Sequence, residues 1–314
     1  MAGPRILVVR LGAMGDIVHT LPAVATLKHS FPHSQLVWAI ERKWAGLIEG
    51  NPFVDEVFEV ERSLAGFLAL RRRLRERRFD LAVDFQGLIK SALVAAASRA
   101  EKICGPHQSQ ARERLAALFY STKVQARAAH IIDRHLEVAA GAGASNVVRA
   151  FPLPLGEPQG RLPEGPFVLA CPMAGWPSKQ WPLEFYPRLG RRLKERNLVL
   201  VLNAPPQSLG ALANLPDVAV HCSAVSGLID ATRRAAAVVG IDSGPLHLAA
   251  ALGKPGVAVF GPTDPARNGP CGESIRVLRS ANAVTSYKRR KEIDRSMREI
   301  TPDMVFEALT GALA

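Results

Sequence analysis

Apolar residues along this chain come in short unbroken runs separated by longer stretches with helical spacing. In the first half the runs fall at 6–11, 36–40, 57–60, 81–84 and 102–104, and helical patterns lie at 17–30, 65–76, 88–98, 112–120 and 130–140. In the second half the runs fall at 167–171, 198–202, 218–220, 238–241 and 257–260, with helical patterns at 183–195, 226–234, 246–252 and 302–313. Apolar runs of this kind predict strands buried on both faces, and helices between them predict parallel sheets. The last helix opens with Thr301 as N-cap and Pro302 at the first helical position, where the missing proline N–H costs nothing.

Residues 151–166 hold five prolines and three glycines, a density that continues neither helix nor strand and marks a linker. The chain therefore divides into 1–155, 166–300 and a closing helix at 301–314, a candidate to pack back on the first half. The two halves match in architecture and not in sequence. In open parallel sheets, ligands bind at the carboxyl ends of strands. Two strand-to-helix turns stand out there: Gly12-Ala-Met-Gly15-Asp16, and Asp242-Ser243-Gly244-Pro245-Leu246-His247. One such turn per half suggests two Rossmann-like domains facing a central cleft, an arrangement suited to joining two substrates.

Composition narrows the partners. Hydrophobic residues make up 48% of the 314 residues, and the net charge is +12. A basic surface is either simply solvated or meets an anionic partner. Basic residues concentrate at Arg62, Arg71, Arg72, Arg73, Arg75, Arg77 and Arg78, and again at Arg276, Arg279, Lys288, Arg289, Arg290, Lys291, Arg295 and Arg298. Neither cluster interleaves aromatics among its cations, as a single-stranded nucleic-acid groove would. Phosphate, carboxylate or anionic headgroups are thus favoured over base recognition, and no specific nucleic-acid partner is expected. Cys104, Cys171, Cys222 and Cys271 form no C-x-x-C pair, the usage of a reducing compartment. No apolar run approaches the ~20 residues that span a bilayer. The N-terminus reads as strand and loop, so a cytoplasmic protein is expected.

Each candidate residue has two readings. Asp16 is either an N-cap or a carboxylate base held ionised by the helix dipole. Gly15 allows close approach of backbone to ligand. At the second turn, Ser243 or Gly244 can cap a helix whose bare amides suit a diphosphate, with Asp242 before it. His247 either packs in the first turn or faces that ligand. Lys179, in Gly175-Trp-Pro-Ser-Lys179-Gln-Trp181-Pro182, either is solvated or neutralises phosphate, while Trp181-Pro182 reads as a structural helix entry. The Walker and G-x-G-x-x-G patterns are absent at these turns. No two aspartates sit two positions apart, so the D-x-D handle for a metal-bound diphosphate is missing, and no divalent metal or other cofactor is expected.

Six ordered blocks carry a resemblance. They are Gly15-Asp16-Ile-Val-His19-Thr-Leu-Pro22-Ala, Asp84-Phe-Gln86-Gly87-Leu-Ile-Lys90-Ser-Ala, Arg112-Glu-Arg-Leu-Ala-Ala-Leu-Phe-Tyr120, Lys179-Gln-Trp181-Pro182, Asp242-Ser243-Gly244-x-x-His247 and Phe260-Gly-Pro-Thr-Asp-Pro265. Together they resemble the ADP-heptose:lipopolysaccharide heptosyltransferases, inverting enzymes of glycosyltransferase family 9 with the GT-B fold. The second, third and sixth blocks are most similar to the members that attach the first heptose to Kdo (heptosyltransferase I). The resemblance implies Asp16 as base, with Gly15, Ala174, Gly175, Lys179, Gln207, Asp242, Ser243, Gly244 and His247 toward the ADP-heptose donor. It implies Arg62, Gln86, Gly87, Lys90 and Arg112 toward a Kdo-lipid A acceptor. A monomer bound peripherally at the anionic cytoplasmic face of the inner membrane is the corresponding expectation. Two departures concern the donor. Met173-Ala174-Gly175 offers only amides where the family often has hydroxyls, and Gln207 stands where an acidic residue usually meets the nucleoside. Alternatives are the second heptose transfer, another nucleotide sugar, or a non-catalytic anion-binding protein.

Overall fold

The structure is a computed structural model that describes residues 3–313, and the chain folds as two compact units, Met1–Pro154 and Leu155–Ala314. The first unit runs β1 (Arg5–Val9), α1 (Met14–Ser30), β2 (Gln35–Glu41), β3 (Glu56–Val60), α2 (Leu64–Arg75), β4 (Leu81–Asp84), α3 (Ile89–Ala97), β5 (Lys102–Pro106), β6 (Thr122–Val124) and α4 (Ile131–Ala142). Its six parallel strands lie in the order β3-β2-β1-β4-β5-β6. The second unit runs β7 (Phe167–Ala170), α5 (Phe185–Lys194), β8 (Val199–Ala204), β9 (Ala219–Cys222), α6 (Val225–Arg234), β10 (Ala237–Ile241), α7 (Gly244–Ala251), β11 (Gly256–Phe260), α8 (Pro265–Asn268), β12 (Ile275–Arg279), α9 (Arg295–Arg298) and α10 (Pro302–Leu313). Its sheet, β12-β11-β10-β7-β8-β9, is also fully parallel. Read from the other edge, that is the order of the first sheet, so both units are the same doubly wound α/β fold.

The strand cores explain the pattern seen in the sequence. Ile6, Leu7, Val8 and Val9 are all fully buried, as are Val257, Ala258, Val259 and Phe260. Helix α1 is buried from Met14 to Leu27 save Asp16, and α4, which also packs on β4, β5 and β6, lies against it. Trp181 confirms its structural reading: it is buried in the second core, edge-on to Phe185 and Tyr186, and its indole N–H donates to Ile300 O at 2.8 Å.

Several expectations change in detail. Each sheet has a sixth strand that the apolar runs did not reveal. β6 has only three residues, and β12 interrupts its apolar positions with Arg276 and Arg279, as edge strands do. Helix α1 begins at Met14 and not at residue 17. The helix expected at 112–120 is a 3-10 turn, Arg114–Phe119. Its start is pinned because Glu113 N–H donates to Gly87 O and Glu113 Oε2 accepts from Ile89 N–H, and β6 begins soon after, at Thr122. The closing helix α10 buries Val305, Phe306, Ala308 and Leu309 in the core of the second unit. From Leu155 onward the proline-rich segment also belongs to the second unit, where Gln159 Oε1 accepts from Ala224 N–H.

Candidate functional site

In each unit the strand order reverses between the first and fourth strands, and a crevice opens there at the carboxyl ends. In the first unit these are β1 and β4, paired from Ile6↔Leu81 to Val9↔Asp84. The chain leaving β1 carries Arg10, fully buried, whose guanidinium donates to Phe85 O and lies 2.7 Å from Asp16 Oδ2. Asp16 is the third residue of α1. Ala13 occupies the N-cap position, so the capping reading of Asp16 is corrected: its carboxylate reaches back to the Ala13 N–H at 3.3 Å. From the other side, Arg112 Nη2 approaches both carboxylate oxygens at 3.0 and 2.8 Å. Burial alone pushes the Asp16 carboxyl up, but Arg10 and Arg112 outweigh it and hold the group well below the usual carboxylate range.

The chain leaving β4 is organised by Asp84, which is fully buried. Its carboxylate accepts from Tyr120 O–H at 2.7 Å, Ser91 O–H at 2.8 Å and the Gln86 N–H at 2.8 Å. Burial still raises its pKa despite these donors. Gln86 is itself buried, and its Oε1 accepts from Leu11 N–H at 2.9 Å, so it ties the two loops together. Gly87 turns with φ +68°, and a Cβ there would lie 3.0 to 3.3 Å from Pro106, Ala111 and the Arg112 N atom. Only glycine lets the Arg112 segment close this tightly.

Beside the β1 loop stands a second carboxylate that sequence reasoning missed. Glu41 ends β2, donates its N–H to Leu11 O, and is buried. Its Oε1 takes both Arg62 Nε at 2.8 Å and Lys90 Nζ at 3.3 Å. Burial opposes its ionisation, and the two cations more than offset that. Arg62 and Lys90, far apart in sequence, are thereby held together with their heads at the surface. In the sequence, Glu41 stands beside Arg42 and Lys43, a pattern no different from that of solvated surface charge. Arg10 was equally hidden, a cation inside an apolar run.

In the second unit the corresponding strands are β7 and β10. Asp242 follows β10, with a nearly buried carboxylate 2.7 Å from Lys179 Nζ and 3.5 Å from His247 Nε2. Burial pushes this carboxyl up, yet His247 and Lys179 together depress it strongly. Lys179 also lies 4.6 Å from the centre of the Trp176 ring, against which Arg289 packs at 5.2 Å. Ser243 occupies the N-cap of α7 without capping it, and its Oγ makes no hydrogen bond among the described residues. Gly244 begins the helix, and its amide faces the same end. Two further hydroxyls that sequence reasoning missed, Ser178 and Thr263, are likewise buried without a hydrogen-bond partner among the described residues. They sit in the loops after β7 and β11, at the same sheet edge. Ala174 O accepts from Gln180 Nε2 at 3.3 Å, and Gly175 borders open space. Gly15 is buried inside α1. Gln207 lies in the 3-10 turn Pro206–Ala211, but its side chain is outside the described residues.

Among the described residues no group of three His, Cys, Asp or Glu side chains converges as a metal site. No helix among them is long and apolar enough to cross a membrane.

Comparison with known proteins adds a second line of evidence. The model of glycosyltransferase family 9 (heptosyltransferase) matches residues 67–297. Lipopolysaccharide heptosyltransferase 1 of Pseudomonas aeruginosa is 30% identical over 299 residues, covering 86% of this chain and 82% of that one. Lipopolysaccharide heptosyltransferase 2 of Salmonella typhimurium is 27% identical over 99% of both chains. The solved structure of E. coli heptosyltransferase WaaC with ADP superposes with a TM-score of 0.78 and 25% identity, over 98% of this chain and 99% of that one.

Proposed function

Because the chain belongs to glycosyltransferase family 9, the heptosyltransferases, we propose that it acts as heptosyltransferase I. In this reading it moves a heptose from ADP-heptose to Kdo of Kdo-lipid A with inversion at the anomeric carbon. The chain is a heptosyltransferase of the lipopolysaccharide core.

The observation that carries the catalytic part of this reading is the carboxylate at the first switch point, Asp16, kept ionised between two guanidiniums. The acceptor hydroxyl attacks the anomeric carbon as the glycosyl–phosphate bond breaks, and its proton passes to the Asp16 carboxylate. The bonding electrons leave with ADP. In the second unit, Lys179, the Ser243 hydroxyl and the amides at the start of α7 stabilise the charge growing on that diphosphate. Asp242 holds Lys179 in place for this, and no step calls for a divalent ion. Arg62, Lys90 and Arg112 present cations suited to the acceptor's carboxylates and phosphates. An acceptor anion that draws Arg112 away also removes one of the two charges suppressing the basicity of Asp16. An amphiphilic acceptor of this kind places the monomeric enzyme at the cytoplasmic face of the inner membrane.

The test is to incubate purified protein with ADP-heptose and Kdo-lipid A, in the presence of a chelator, and weigh the product. The expected result is a mass gain of one heptosyl unit. Transfer only to an acceptor already carrying a heptose would reassign the protein to the second step, and absence of transfer from ADP-heptose would overturn the donor assignment.

A further inference from the structure

Helices α2 and α3 and the 3-10 turn Arg114–Phe119 form one layer over the first sheet, α3 touching both neighbours. The inner side of the layer is conventional: Leu70 and Leu74 of α2, Val94 and Ala95 of α3, and Ala116 and Ala117 of the turn are buried. Its outer side is not. Leu64 (76% exposed), Leu68, Leu93, Leu115 (60%) and Leu118 (75%) all face solvent. These are five of the eleven large hydrophobic side chains exposed among the described residues, and scatter alone would not gather them on one layer.

Their positions follow a rule. Leu64 comes two residues after Arg62, Leu93 three after Lys90, and Leu115 three after Arg112. Each cation of the candidate acceptor site is thus followed within a helical turn by an exposed leucine. All three segments begin at the carboxyl edge of the first sheet, the edge that carries Asp16.

The charge on this layer is unbalanced. Arg72 pairs with Glu76, and Arg73 with Glu56. For Arg71, Arg75 and Arg114, no ion pair forms among the described residues. Leu68, Arg71, Arg72, Arg75 and Glu76 line one shallow depression. Desolvation and the like charges of Arg71 and Arg99 lower the Arg75 pKa.

We propose that the outer face of α2, α3 and the 114–119 turn is a docking surface for an anionic lipid bilayer, with leucines entering the acyl boundary and arginines meeting headgroup phosphates. Leucine and arginine without exposed aromatics suit this partner. Leucine burial supplies a non-directional attraction, and long basic side chains reach up to phosphate from an immersed helix. A protein interface core would favour aromatic anchors. The inference deepens the function proposed above and rests on it in one respect: an acceptor whose acyl chains stay in the bilayer requires the sugar-binding edge to meet the membrane. The leucines would then border the acceptor site, in keeping with their places just after Arg62, Lys90 and Arg112.

The experiment is flotation of the full chain with phosphatidylcholine vesicles, with and without phosphatidylglycerol, no nucleotide sugar or acceptor being present. The protein is expected to float with the anionic vesicles, less with the neutral ones, and less at high salt. The double variant Leu64→Ser/Leu118→Ser is expected to lose about tenfold or more in vesicle partition, while turnover on a deacylated, water-soluble acceptor stays at the unmodified level. Undiminished flotation of that variant overturns the proposal. So does a chain that ignores anionic vesicles, or one whose self-association is abolished by the same substitutions without any flotation. The functional reading fails separately, through absence of turnover on the soluble acceptor whatever the flotation result.

Discussion

A carboxylate between two guanidiniums is a weak base, and Asp16 is held in that position by Arg10 and Arg112. The two cations differ. Arg10 is fully buried and fixed to Phe85 O, whereas the Arg112 side chain is half exposed. Arg10 therefore sets orientation, and Arg112 is the counter-ion able to exchange. Replacing Asp16 with Asn separates these roles. Donor affinity by calorimetry is expected to stay nearly unchanged, while turnover falls about 100-fold or more. The same substitution leaves Arg10 buried without its counter-charge, at a cost of about 3 kcal/mol in chemical denaturation. Full turnover in a folded variant would rule out the base assignment. At this scale the sequence was half legible. Asp16, Lys179 and Asp242 declared themselves by following strands, but Arg10 and Glu41 did not. Glu41 and Arg10 are polar residues beside apolar runs, and nothing local distinguishes a buried ion pair from a solvated charge.

Among elements, the turns after β1, β4 and β10 matter most, because they hold Asp16, Asp84 and Asp242. Strand runs and helix spacing were readable since both faces of a parallel strand are covered, which removes the polar alternation that would blur it. What escaped were the pieces held by tertiary context. β6 is too short to show a pattern, β12 carries edge arginines, and the 114–119 turn is shortened by the bonds of Glu113 to Gly87 and Ile89. Gly87 tests how far this packing governs the site. Its φ of +68° and the close approaches a Cβ would make predict that Gly87→Ala destabilises the first unit by roughly 1–3 kcal/mol. The proximity of the Arg112 backbone predicts a raised KM for the anionic acceptor as well, with little change in donor affinity. Urea denaturation and steady-state kinetics measure the two effects. A variant of unaltered stability would show that the turn relaxes freely.

At the level of the whole molecule, two units of one topology each carry a charged cluster at the switch point, and each unit has its own titration behaviour. The duplicated architecture was legible because the linker at 151–166 and the βα alternation are both local signals. The acid response was not, because it depends on burial. His135 of α4 lies beneath the first cluster, with Nδ1 3.2 Å from His19 O and 3.3 Å from Thr20 Oγ1. Burial chiefly, with the nearby Arg10, lowers its pKa from 6.5 to about 3. Between those values the unfolded chain binds a proton there that the folded chain refuses, so stability falls as pH falls. From pH 7 to pH 5 the loss from this one group comes to about 2 kcal/mol. Asp16, with its depressed pKa, adds a further loss only below the usual carboxylate range. The substitution His135→Gln keeps a polar group near Thr20 and removes the titration, so its denaturation midpoint is expected to change less between those two pH values. His221 in the second unit is also lowered by burial, and it leaves the variant a residual slope. An equal drop in wild type and variant would mean that His135 takes up its proton in the folded state, and that Arg10 and Asp16 tolerate an imidazolium beside them.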